Sequence, residues 1–187
     1  MPTTKLTNLR NKVTDFARSY KYLFELSALN NAGALASLLT DDIKNKLRFS
    51  CVTTPMPSKG SQEITVEVGT YTMREPGRKE FGGTITPEFI MNGDYGIYNF
   101  FEAWHRLCTG DDGKNSFASD IHAVLTIKAL NSKDSISMVK TYANVWCRLC
   151  PEVQFSDDAN EIIRFQPELV YEIDVNEFPG GESNFVT

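Results

Sequence analysis

The chain has 187 residues, of which 41% are hydrophobic, 23% charged and 11% aromatic, so it can bury a sizeable core without disulfide staples. A net charge of −5 with a pI near 5.1 excludes a surface built to grip nucleic acid, because phosphate contacts need clustered Lys and Arg. The four cysteines, Cys51, Cys108, Cys147 and Cys150, fall mostly inside strand or helix patterns and are expected to be reduced thiols; with no secretory leader and no apolar run of spanning length, the chain is expected in a cytosol-like compartment without a membrane anchor.

Residues 1–18 are polar, with Leu6, Leu9, Val13 and Phe16 at roughly helical spacing, and read as an amphipathic arm or a frayed terminus. Tyr20, Tyr22, Phe24 and Leu26 alternate as a first strand. Residues 30–46 read as a short helix in an excursion between strands, followed by a second strand over Leu47–Thr53 that Pro55 and Pro57 close. Ile64, Val66 and Val68 alternate with Glu63, Thr65 and Glu67, which predicts a strand with one apolar and one acidic face. Pro76-Gly77 is a turn signal, Phe81-Gly82-Gly83 suggests a bulge, and Thr84–Ile90 is a strand that Pro87 bends or places at an edge.

The strongest local signal is a helix near 94–108. Ile97, Phe100, Phe101, Trp104, Leu107 and Cys108 share one face of a 3.6-residue period, Asp94 is placed to cap the start, and Thr109-Gly110 ends the pattern. This aromatic stripe is the predicted core helix. Ala123–Ala129 alternates as a strand, Asn131–Asp134 turns, and a return strand runs from Met138 to Leu149. Glu168, Glu172 and Asp174 then alternate with Leu169, Tyr171, Ile173 and Val175 in a last strand, and Gly180-Gly181 opens a C-terminal tail over 179–187. The pattern predicts a mainly β fold over residues 19–178. It would be a β-sandwich or small barrel of two packed antiparallel sheets with one flanking α-helix.

No catalytic constellation emerges. Cys147-Arg-Leu-Cys150 is a CxxC by spacing, but in a strand those positions point to opposite faces, and no second pair completes a zinc site. His105 and His122 belong to no ligand spacing, no phosphate-cradling glycine motif is present, and neither cofactor nor metal is expected. The acidic alternations are geometrically able to hold a metal, yet nothing apolar brackets them, and a solvated sheet face is the simpler reading.

The order of segments resembles the tail tube proteins of contractile-tailed bacteriophages, which are related to the inner tubes of other contractile injection machines. The resemblance lies in Glu67-Val-Gly69, Pro76-Gly77-Arg78, Phe81-Gly-Gly-Thr-Ile-Thr86, the Asn92-Gly-Asp94 turn, the helix from Ile97 to Trp104, the Tyr142–Leu149 strand, the Pro151 break, and Glu161-Ile-Ile-Arg-Phe165 leading to Tyr171. It covers roughly residues 20–175 as a pattern of turns, aromatics and strand order. It implies a non-enzymatic virion subunit, assembled in the host cytoplasm, that forms hexameric rings stacked head-to-tail into a hollow tube. Its implied partners are itself, the tail sheath, baseplate and terminator proteins, and transiently the tape-measure protein and DNA. On that reading Glu63, Glu67, Glu168, Glu172 and Asp174 are expected to face the lumen. An inner-tube, tube-end or baseplate protein of another contractile injection or secretion machine is the alternative, and a ligand-binding or hydrolytic β-sandwich a distant one.

Overall fold

The computed structural model describes residues 21–57, 59–81, 83–110, 116–153 and 162–175. The expected N-terminal arm and C-terminal tail lie outside these residues. Eleven strands and four helices are present among them: β1 (Tyr22–Ala28), α1 (Ala34–Leu38), α2 (Asp41–Ser50), β2 (Cys51–Thr53), β3 (Lys59–Val68), β4 (Tyr71–Phe81), β5 (Thr84–Ile85), β6 (Glu88–Ile90), α3 (Gly96–Cys108), α4 (Ala118–Ile121), β7 (Ala123–Leu130), β8 (Ile136–Leu149), β9 (Arg164–Phe165), β10 (Glu168–Val170) and β11 (Ile173–Val175). A large antiparallel sheet runs β1-β7-β8-β10-β5 with β11 also on β8, a small one runs β2-β6-β9, and β3-β4 form a separate hairpin. The large sheet ends in β1 on one side and β5 on the other, so the barrel alternative is not realised.

Two prolines explain how the sheets part. Strands β5 and β6 pair with β10 and β9 in one continuous antiparallel register, with Ile85 opposite Leu169 and Phe89 opposite Phe165. Extending that register puts Pro87 opposite Pro167, and both are buried. Neither proline has an N–H to give the ladder, so pairing breaks there and the same two segments serve the large sheet on one side and the small sheet on the other. The predicted strand over Thr84–Ile90 is thus divided at the residue that sequence reasoning marked as a bend.

Helix α3 covers the space between the sheets. Ile97, Phe100, Phe101, Trp104 and Cys108 are buried, and Leu107 is half-buried at the edge of the stripe. Phe89 meets Phe24 edge-on at 5.4 Å and Phe101 at 5.7 Å, and Phe101 reaches Phe165 at 5.6 Å, so one aromatic chain ties both sheets to the helix. Each such ring pair contributes about 0.5–1.5 kcal/mol beyond its area. Tyr95, in the left-handed conformation, occupies the N-cap position instead of Asp94, while the Asp94 carboxylate accepts the Gly96 N–H at 3.2 Å. The first free donor is therefore met by the expected side chain from one position earlier.

Several expectations are corrected. Besides the flanking helix near 94–108 and the short helix expected within 30–46, the described residues hold two more, four in all. The strand expected over Leu47–Thr53 shrinks to Cys51–Thr53 because α2 continues to Ser50, started by Thr40 accepting from the Ile43 N–H and by Asp41 and Asp42 in its first turn. The 30–46 excursion holds α1 and the start of α2 and contributes Leu35 and Leu39 to the core, with Leu47 following just beyond it. Pro76-Gly77 is no turn but part of a bulge within β4, where the register shifts between Ser61 and Glu63. The turn is Gly69-Thr70, with a positive φ of 64° at the glycine only, the arrangement of a II′ hairpin.

Candidate assembly surfaces

The β3-β4 hairpin presents two unlike faces. Residues opposite one another in an antiparallel pair share a face, so Val68 with Tyr71, Val66 with Met73 and Ile64 with Glu75 form one side, apolar but for Glu75 at its base, and Glu67 with Thr72, Thr65 with Arg74 and Glu63 with Pro76 form the other. In the polar face Arg74 Nε lies 3.2 Å from Glu63 Oε1. The apolar side chains are 45–77% exposed, and no other described element packs broadly against them. An isolated two-stranded ribbon is marginal in water, and a contiguous apolar ladder with open edges invites a partner. At about 3.4 Å per residue the arm is on the order of 30 Å long.

The other predicted acids lie along β8, on a different sheet from Glu63 and Glu67. Arg148 Nη1 donates to Glu168 Oε1 at 3.1 Å. Asn144 is the left-handed residue of a β8 bulge, with φ 54°, and its side-chain amide donates to Glu172 Oε2 at 2.7 Å. Asparagine tolerates that backbone better than most residues. Asp174 faces Tyr142 across the ladder; burial, and then the Asp174 charge, push the Tyr142 hydroxyl up to about 12. The structure therefore sets Glu168 of β10, Glu172 in the connection and Asp174 of β11 against β8, and Glu63 with Glu67 along β3. It does not join the two groups into a single cluster. Glu168 and Glu172 each accept a hydrogen bond from a β8 side chain and are more than solvated surface.

The thiols are not poised for chemistry. Burial raises Cys51, Cys108 and Cys150 to about 11 and Cys147 further still. A thiol kept protonated is a poor nucleophile and metal ligand. All four are free, and no group of three His, Cys, Asp or Glu side chains is arranged to hold a metal among the described residues. No helix among them is long and apolar enough to cross a membrane.

Sequence reasoning missed the hairpin as a surface. It found the alternation of Ile64, Val66 and Val68 but not its continuation through Tyr71 and Met73, which alternate with Thr72 and Arg74. It also passed over a groove of about 790 Å³ beside the segment after β2.

Known structures share this fold. No curated sequence matches the chain. Among solved structures, a chain from the extended sheath-tube complex of the extracellular contractile injection system PVC superposes with a TM-score of 0.60 at 11% identity, covering 96% of this chain and 99% of that one. A chain from the PVC sheath/tube terminator gives 0.61 at 11% identity, with 88% and 99% covered. One from the anti-feeding prophage baseplate gives 0.59 at 13%, with 85% and 93% covered. These likenesses carry the fold. The sequence itself matches the model of the phage tail tube protein family over residues 16–176, and the chain belongs to that family.

Proposed function

We propose that this chain is the structural subunit of a phage tail tube, forming hexameric rings that stack head-to-tail around an acidic lumen through which DNA passes. The observation that carries the reading is the projecting hairpin: a family of tube subunits needs contacts between copies, and the arm of this subunit holds an exposed, mostly apolar face against which no other described element packs broadly. Burying such faces between copies would drive polymerisation. The sheath, baseplate and terminator are the proposed neighbours along the tube.

Glu63, Glu67, Glu168, Glu172 and Asp174 are proposed to line the wall. Rings of carboxylates closer together than a few Debye lengths of about 8 Å fill a narrow bore with negative potential. DNA would then be repelled from the wall on all sides and slide without adhesive phosphate contacts. The acidic net charge supports this account.

The test is polymerisation of the full-length protein and of Val66→Glu/Met73→Glu, followed by sedimentation and electron microscopy. The parent is expected to form rods, and the variant to remain a folded subunit or ring. Rods from the variant at the parental yield would refute the role of the arm. A second reading, an inner-tube or tube-end subunit of an injection machine, draws on the likeness to terminator and baseplate chains. It predicts short caps or single rings where the first predicts long tubes.

A further inference from the structure

The groove beside β2 has a defined origin. Ile127 and Ala129 of β7 and Met138 of β8, which pairs with Ala129, continue the core surface of the large sheet beyond the part that the small sheet covers, and Met56 lines the groove with them. The result is an apolar trough with two adaptable methionines. β2, the edge strand of the small sheet, runs beside it. Pro55 and Pro57 follow that strand and have no N–H to give, so the edge is a poor template for an added strand. A helix, which brings its own backbone hydrogen bonds, suits the groove better. The Thr54 hydroxyl at the groove is buried and has no hydrogen-bond partner among the described residues. A buried hydroxyl left unpaired is costly, so whatever covers the groove needs a polar group beside its apolar face.

The chain enters the described residues at the rim of this same groove. Lys21 lines it; its carbonyl accepts from the Leu130 N–H at 2.9 Å, and its ammonium donates to Asp134 at 2.7 Å and to the Ser132 carbonyl at 3.1 Å. The point from which residues 1–20 depart is therefore fixed. In those residues Leu6, Leu9, Val13 and Phe16 recur at i, i+3, i+7 and i+10, the anchor spacing of a helix laid in an apolar groove, and Arg10 and Lys12 fall on either side of that stripe. The segment is basic, with Lys5, Arg10, Lys12 and Arg18 against Asp15 alone, whereas the whole chain has a net charge of −5. Charge therefore draws the segment back onto the acidic body.

We propose that the groove seats residues 6–16 of the same chain as an amphipathic helix, with Leu6, Leu9, Val13 and Phe16 against Ile127, Ala129 and Met138. Arg10 or Lys12 at its flank supplies the donor that the Thr54 hydroxyl lacks. The span from Phe16 to Lys21 reaches at most about 18 Å, enough for the helix to turn back over the groove. So short a tether holds it there at an effective concentration of roughly millimolar. A helix of this length is marginal alone in water, so it forms on the groove and depends on it. This seat does not rest on the tube reading: it belongs to the single subunit and covers the exposed floor of the large sheet from within.

Two measurements on the full-length protein, held below the concentration at which it polymerises, test this. In methyl NMR of methionine-labelled protein, Met56 and Met138 report on the groove, while exposed Met73 and buried Met91 serve as controls. Leu9→Asp/Val13→Asp should shift the Met56 and Met138 resonances and leave Met73 and Met91 in place. A photo-reactive phenylalanine at Val13, irradiated in a mixture of light and heavy isotope-labelled copies, should cross-link within one copy to peptides containing Met56 or Met138. Groove methyls that do not respond to the double substitution, or four methyls that all move alike, would overturn the seat. Cross-links between copies would place a second copy's segment in the groove and overturn the intramolecular assignment, and cross-links to other surfaces would overturn the groove itself. The cross-linking chain carries one apolar replacement, so it remains decisive if the double aspartate variant fails to fold. Rod formation is read separately and decides the tube reading alone.

Discussion

Trp104 is the position at which the helix-covered core can be tested most sharply. Its side chain is fully buried, its ring lies 5.7 Å from Phe100 and 6.0 Å from Phe101, and its indole N–H donates to the Ile121 carbonyl at 2.8 Å. Trp104→Phe retains most of the apolar bulk but leaves that carbonyl without its donor, a cost of about 1–3 kcal/mol. Trp104→Ala removes the ring as well and leaves a cavity, at about 3–5 kcal/mol in all. Domains of 150–250 residues lose about 2–4 °C of melting temperature per kcal/mol. The phenylalanine variant should therefore melt about 2–12 °C below the parent, and the alanine variant about 6–20 °C below it. Circular dichroism melts of the unassembled subunit, with urea midpoints as a second measure, give both values. If Trp104→Ala melted within about 2 °C of the parent, α3 would be a surface element and the core assignment wrong.

Burial that holds Cys51, Cys108 and Cys150 at about 11 and Tyr142 at about 12 makes a prediction about alkali. An unfolded chain loses these protons from pH 9 for the thiols and 10 for the tyrosine, so the native state binds more protons in that window; stability should be level below pH 9 and fall from there to about 12. Urea midpoints unchanged between pH 8.5 and 11 would contradict it. Replacing Cys147 with Val and Cys150 with Ser should leave assembly intact, as scored by tube yield. Glu63→Lys with Glu67→Lys should preserve folding and tubes, since the Glu63–Arg74 pair is exposed and worth at most about 1 kcal/mol, but should slow DNA ejection most at low salt; ejection at the parental rate in low salt would place those residues off the lumen wall. Glu172 is left out of that pair because reversing it removes the acceptor of Asn144 at the β8 bulge and mixes stability with charge.

What was legible in the sequence follows from what each segment packs against. Helix α3 stood out because a single core receives its whole aromatic face, and the alternation of Phe24 with Leu26 and of Ala123, Leu125 and Ile127 marked strands for the same reason. Helix α2 was obscured because it buries only Leu47, so no stripe forms; its remaining signal was chemical, Thr40 ahead of Asp41-Asp42. The hairpin misled in another way. Pro76-Gly77 has the composition of a turn, yet it occupies a bulge of a ribbon without a third strand, where proline removes no needed ladder bond. The acids proposed to line the wall were legible as alternation, whereas the Asn144 and Arg148 contacts depend on the pairing of β8 with β10 and β11, which no local pattern discloses.

Cryo-electron microscopy of the full-length protein, purified and concentrated without other components, tests the central claim most directly. The account predicts hollow tubes of stacked rings in which the β3-β4 hairpin of each subunit bridges to the next ring with Ile64, Val66, Val68, Tyr71 and Met73 buried. A subunit that stays monodisperse at every concentration, with that face of the hairpin in solvent, would contradict it.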